Sequence, residues 1–139
     1  MNVLVIDGQG GGLGRQIVSA IKRSFPDSVV TAVGTNSVAT AAMLKAGADK
    51  SATGENPVVV CSKNADVIVG PIGIVIADSM LGEITEKMAV AVAQSRARRI
   101  LVPVNLCDNY VVGVADASLS VMVDCVISEL KGSLIQEGC

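Results

Sequence analysis

The sequence predicts an α/β fold: a three-layer, doubly wound parallel sheet with strand order 3-2-1-4-5, in a single domain spanning residues 1–139. Three observations carry that reading. Short apolar runs of strand length alternate with segments of helical period, and right-handed crossovers then lay helices on both faces of a parallel sheet. Half of the chain is hydrophobic, yet it holds one Tyr, one Phe and no Trp, so the core is built from small aliphatic residues, as in strands buried on both faces. The first apolar run passes through five glycines in seven residues, Gly8 to Gly14, straight into an amphipathic segment. At this length the chain holds five or six strands and no second domain of ordinary size.

The elements follow in order. Val3 to Ile6 is the first strand, and Leu13, Ile17, Ala20 and Ile21 form the buried stripe of the first helix, closed by Pro26 and Asp27. Val29 to Val33 is the second strand, and Thr35, Asn36 and Ser37 offer N-cap chemistry for a helix that runs to about Ala46 and stops at Gly47. A short strand at Lys50 to Ala52 precedes Glu55 to Asn64. There Val58, Val59 and Val60 favour a strand but Pro57 suits a first helical turn, and helix is preferred. Val67 to Val69 is the next strand and leads into Gly70, with Ile74 to Ala77 continuing extended and a corner at Asp78 to Gly82. Glu83 to Arg96 reads as a helix, with Glu83 and Glu86 at its start and arginines at its end, the order that complements a helix dipole. Ile100 to Val104 is a buried strand, Tyr110 to Val114 a short edge strand and Ala117 to Lys131 the last helix, before a loose tail.

The glycine run is an anion-binding signature. Glycines let the backbone turn through positive φ and approach a ligand closely, and the free N–H groups of a helix start favour a phosphate. The dinucleotide spacing GxGxxG fails, because Leu13 or Arg15 falls where the third glycine belongs, and the lysine of a P-loop is absent. The spacing GxxxGxG does fit, at Gly8, Gly12 and Gly14, and in this the loop resembles the cofactor loop of short-chain dehydrogenases and reductases. That resemblance implies NAD or NADP. It also implies a catalytic tyrosine with a lysine four residues on, whereas Tyr110 is followed at that distance by Val114. The longer string IDGQGGGLG (6–14), with GPIG (70–73) and ADSMLGEIT (77–85), resembles a small bacterial domain family of unknown function that is Rossmann-like; this resemblance implies a fold and supplies no activity.

Charge excludes several classes of partner. Eleven basic and thirteen acidic residues give a net charge of −2 with no basic block, and aromatic stacking platforms are missing, so nucleic acid is not an expected partner. No segment reads as a membrane span, and Val3 to Ile6 lacks a basic leader and is stopped by Asp7, so the expected location is cytoplasmic. Cys61, Cys107, Cys125 and Cys139 form no CxxC pair and the chain has no histidine, so they read as buried reduced thiols and no metal site is expected of them. Charged residues make up only 17 %, and the surplus of apolar surface points to a homo-oligomer, through the helix after Glu83 or the last helix.

Four corners converge at the carboxyl ends of the strands, where doubly wound sheets bind ligands. The expected ligand contacts are Gly8, Gln9, Gly10, Gly11, Gly12, Leu13, Gly14 and Arg15 from the first corner, Thr35 and Asn36 from the second, Gly70 from the third and Asn105 from the fourth. The end of the second strand carries no acidic residue for a ribose and no arginine for a 2′-phosphate, which favours NADP over NAD only slightly. Three functional readings remain. The first is binding of a phosphorylated ligand, nucleotide or dinucleotide at the glycine loop. The second is a phosphoryl- or nucleotide-processing enzyme in which Asp7 and Asp78 share a Mg²⁺, the alternative roles being an acceptor for loop N–H groups and a turn cap. The third is a non-catalytic oligomeric assembly or regulatory subunit.

Overall fold

The computed structural model describes residues 1–135 apart from 105 and 107, with side chains as far as 132. Five strands form one parallel sheet: β1 (Asn2–Asp7), β2 (Val29–Gly34), β3 (Lys50–Thr53), β4 (Val67–Pro71) and β5 (Arg98–Val102), in the order 3-2-1-4-5. The register aligns Val3 with Val30 and Val67, and Val69 with Ile100, so the carboxyl ends of β1, β2 and β4 lie side by side.

Alternation along the strands divides the core in two. Val3 and Val5, Val30 and Ala32, and Val67 and Val69 face one layer, which holds α1 (Gly12–Ser24), α2 (Ser37–Lys45) and α5 (Leu119–Ile135). Leu4, Ile6, Val33 and Ile68 face the other, against α3 (Glu55–Cys61) and α4 (Glu86–Gln94). β1 is central and buried on both faces, and each large aliphatic removed from water there stabilises the fold by roughly 1.5–3 kcal/mol. The glycine loop therefore hangs from the most firmly held strand.

Several local expectations are corrected. Helix α4 starts at Glu86, because Asp78, Met80, Leu81 and Gly82 all take positive φ and turn the chain left-handedly, and Thr85 then caps the helix by accepting the Met88 N–H at 3.2 Å. Glu83 is thus outside the helix, and Arg98 and Arg99 belong to β5. Residues Ile72–Val75 form a 3-10 turn in place of an extended run. Tyr110 to Val114 is not a strand: Asp108 and Gly113 have positive φ, and Tyr110 and Val112 are 82 % and 85 % exposed, with no strand beside them. Helix α5 runs on to Ile135, through residues expected to be a loose tail. Residues 55–61 are helical, with Pro57 in the first turn. Cys61 is half-buried and Cys125 exposed, the latter against expectation; Cys107 and Cys139 lie outside the described residues.

Candidate functional site

A strand end, a glycine turn and a helix start expose many backbone donors, so each amide from Gly8 to Gly14 needs an acceptor. The Gly8 and Gly14 N–H groups donate to the two oxygens of the Asp7 carboxylate, at 2.8 and 2.7 Å. The Gln9 N–H donates to Glu83 Oε1 at 3.0 Å, and the Gly11 N–H closes a turn on the Gly8 carbonyl at 3.0 Å. Gly10, Gly12 and Leu13 are left, and their N–H groups donate to no atom of the described residues. They stand at the start of α1, whose Gly11 N-cap supplies no side-chain acceptor. These three donors border a cavity of about 330 Å³, lined by Asp7, the loop, Val104 and Leu119.

The two carboxylates behave oppositely. Burial raises the Asp7 pKa above its ordinary value, partly offset by the Gly14 and Gly8 hydrogen bonds, with the nearby Glu83 charge adding to the rise. For Glu83 desolvation is the largest single influence and raises the pKa, but three hydrogen bonds together outweigh it, from the Thr35 hydroxyl at 2.7 Å, the Gln9 N–H, and the Asn36 amide at 2.7 Å, so its pKa lies below the ordinary value. All three donors converge on Oε1. Glu83 thereby ties the ends of β1 and β2 to the corner after the 3-10 turn.

The sequence pattern places Glu83 within a helix and so gives it no part in the site. The available signal was Thr85 before Glu86, a Ser/Thr-type N-cap that ends the preceding corner three residues later than assumed. Thr35 and Asn36 do reach the glycine loop, but their side chains are occupied: Asn36 donates to the Gln9 carbonyl at 2.9 Å and caps α2 by accepting the Ala39 N–H at 2.9 Å.

The glycines fall into two groups. At Gly8 a Cβ would stand 2.7 Å from the Met80 sulfur, at Gly14 2.6 Å from the Met43 sulfur, and at Gly11 2.8 Å from the Ala39 Cα, with φ already at +72°. Packing accounts for those three. At Gly10 and Gly12 a Cβ would meet nothing within 4 Å and φ is not positive, so nothing among the described residues requires a glycine.

Two of the other expected contacts, Arg15 and Gly70, lie elsewhere. Arg15 is exposed and lines a separate hollow over α1, with Arg23 and Lys45. Gly70 is buried in β4, where a Cβ would overlap the Ile6 carbonyl, so close strand packing explains it. Asn105 lies outside the described residues. Asp78 is exposed at the corner, its N–H on the Ile84 carbonyl at 2.8 Å and its carbonyl accepting from Gly82 at 3.1 Å. Among the described residues no group of three or more Cys, Asp or Glu gathers, and no helix is long and apolar enough to cross a membrane.

A family model described as a domain of unknown function, DUF3842, matches residues 2–135. The chain belongs to this family. Comparison with curated proteins returned no significant match. Among solved structures, the chain is similar to the dodecameric FMN-dependent Ubix-like decarboxylase from Escherichia coli O157:H7, at 16 % identity and a TM-score of 0.46, over 94 % of this chain and 76 % of that one.

Proposed function

We propose that the chain binds a phosphorylated small molecule, a nucleotide or dinucleotide, with a phosphate at the start of α1. The observation that carries this reading is the pairing of three unpartnered amides, at Gly10, Gly12 and Leu13, with two glycines whose missing side chains no packing explains. An unmet backbone donor is costly when buried and useful when an acceptor arrives from outside. The absence of a Cβ at Gly10 and Gly12 leaves room for that acceptor beside the amides. The adjoining cavity of about 330 Å³ lies within the ordinary range of small-molecule sites.

Asp7 and Glu83 take the Gly8, Gln9 and Gly14 amides, so they hold the loop in shape without filling the three open donors. The proposal is tested by thermal shift across ATP, FMN, NAD and NADP, because a ligand that binds only the folded state raises apparent stability. At least one should stabilise the wild type, and Gly12→Val should remove that response. A ligand shift that survives Gly12→Val would place the site elsewhere, and no response to any phosphorylated compound would end the reading.

A further inference from the structure

Gly12, Leu13 and Gly14 are the first three residues of α1, so their N–H groups point together out of the helix start. The third is already taken. Asp7 Oδ2 accepts the Gly14 N–H at 2.7 Å and Oδ1 the Gly8 N–H at 2.8 Å, and Asp7, 6 % exposed, forms part of the wall of the cavity of about 330 Å³. Neighbouring amides of a first helical turn hold their acceptors within about 5 Å of one another, so a phosphate oxygen on the Leu13 amide would lie that close to the Asp7 carboxylate. A second carboxylate stands behind the loop. Glu83 Oε1 accepts the Gln9 N–H at 3.0 Å, one residue before the open Gly10 amide, and its charge is near enough to push up the Asp7 pKa.

No cation balances this pair. Among the described residues neither Lys nor Arg lines the cavity, and Arg15, in the first turns of α1, is exposed and lines the separate hollow with Arg23 and Lys45. The segment between the two cavity-wall residues Val104 and Leu119 cannot supply one, because the chain after Val104 holds a single basic residue, Lys131. Lys131 is twelve positions past Leu119, about 18 Å along α5. The positive end of α1 amounts to about half a charge, against two carboxylates. An incoming anion therefore meets a net repulsion that grows with its own charge.

We propose that the site takes a singly charged phosphorus, that of a phosphodiester or of the internal diphosphate of a dinucleotide, and turns away terminal phosphate dianions; this rests on the phosphate site proposed above. Asp7 and Glu83 are its specificity-determining residues. At pH 8 a phosphomonoester carries nearly two negative charges and a diester one, while both present free oxygens to the Gly10, Gly12 and Leu13 amides. Repulsion from the carboxylates is then about twice as large for the monoester.

The test is a titration of the ¹⁵N-labelled full chain at pH 8, with EDTA present and ionic strength held constant, following the Gly10, Gly12 and Leu13 amide resonances. The probes are methyl phosphate against dimethyl phosphate, and AMP against its 5′-phosphate methyl ester, each pair differing by one methyl group and one charge. The singly charged member should bind about tenfold tighter in each pair. Asp7→Asn should tighten methyl phosphate and AMP about tenfold and move the two esters less than about threefold. Glu83→Gln keeps an oxygen for the Thr35, Gln9 and Asn36 donors and should narrow the preference about threefold, which keeps the charge effect measurable if Asp7→Asn does not fold. Dianions that bind as tightly as their esters, or a preference unchanged in both variants, would overturn the charge selection and leave the phosphate site standing, since the three amides would still respond. No response of those amides to any of the four compounds would end both.

Discussion

Gly12→Ala and Gly14→Ala are the same chemical change, two residues apart, and are expected to act in opposite directions. At Gly12 the added methyl meets nothing within 4 Å and φ is not positive. The folded state then accepts it freely, while the unfolded chain loses freedom, which stabilises by about 0.4–1 kcal/mol. That corresponds to a rise of roughly 1–4 °C in Tm for a domain of this size. At Gly14 the methyl would lie 2.6 Å from the Met43 sulfur, 2.8 Å from the Asp7 Cβ and 3.0 Å from Asp7 Oδ2. Helix α1 must then lift from the sheet and lengthen the 2.7 Å bond from the Gly14 N–H to Asp7, an overpacking cost of about 1–3 kcal/mol. The expected fall in Tm is roughly 3–10 °C.

Thermal and urea denaturation of the two variants, with and without the ligand that stabilises the wild type, separates packing from binding. At a hundredfold excess over Kd a ligand adds about 2.7 kcal/mol to the wild type. Gly12→Ala should lose most of that increment despite being the more stable free protein, because its methyl occupies the open space beside the unpartnered amides. A Gly12→Ala protein destabilised as much as Gly14→Ala would show that Gly12 is there for packing. A stable Gly12→Ala protein with the full ligand increment would show that the space is not used.

Three further outcomes follow from the carboxylates and the surface. Because hydrogen bonds hold the Glu83 pKa below its ordinary value of 4.5, Glu83 contributes stability above that pH which is lost as the pH falls through its lowered pKa; Glu83→Gln should flatten the acid limb of a Tm-against-pH curve, and an unchanged limb would refute the linkage. Asp7, raised by burial, works in the other sense: its contribution is present below 3.8 and lost as the pH rises through the raised value, so Asp7→Asn should remove a decline on the neutral side, visible in the same curves. The chain is expected to be a dimer or larger, since Val38 and Val121 stay 64 % and 50 % exposed although α2 and α5 pack on the sheet. Sedimentation velocity at micromolar concentration decides this, and a lone 14.1 kDa species would refute it.

The sheet was legible because its determinants are local and repeated. Aliphatic runs at Val3–Ile6, Val29–Val33 and Val67–Val69 have the length and composition of doubly buried strands, and crossover handedness then leaves few orders, of which 3-2-1-4-5 is the one observed. The helical stripes were legible for the same reason. Met88 and Val92 of α4, and Val123, Val126 and Leu130 of α5, point to the sheet, which is what a period of 3.6 residues encodes. At the start of α4 the difference between sequence and structure comes from positive φ. Met80 and Leu81 carry no mark of a left-handed turn in the sequence, so the local pattern starts α4 three residues early and takes Glu83 into it.

By itself, then, the sequence determined the fold class, the strand order and the presence of a glycine turn between a buried strand and a helix. What the tertiary structure decided is which donors of that turn remain open. The five glycines look alike in the string, but Gly8, Gly11 and Gly14 are demanded by Met80, Ala39 and Met43, residues 28 or more positions away in the chain, whereas Gly10 and Gly12 face open space. Glu83 in turn reaches Gln9 across 74 positions and takes its amide. Burial and hydrogen bonding between segments so far apart depend on how the sheet brings strand ends together, and no local pattern of residues records that.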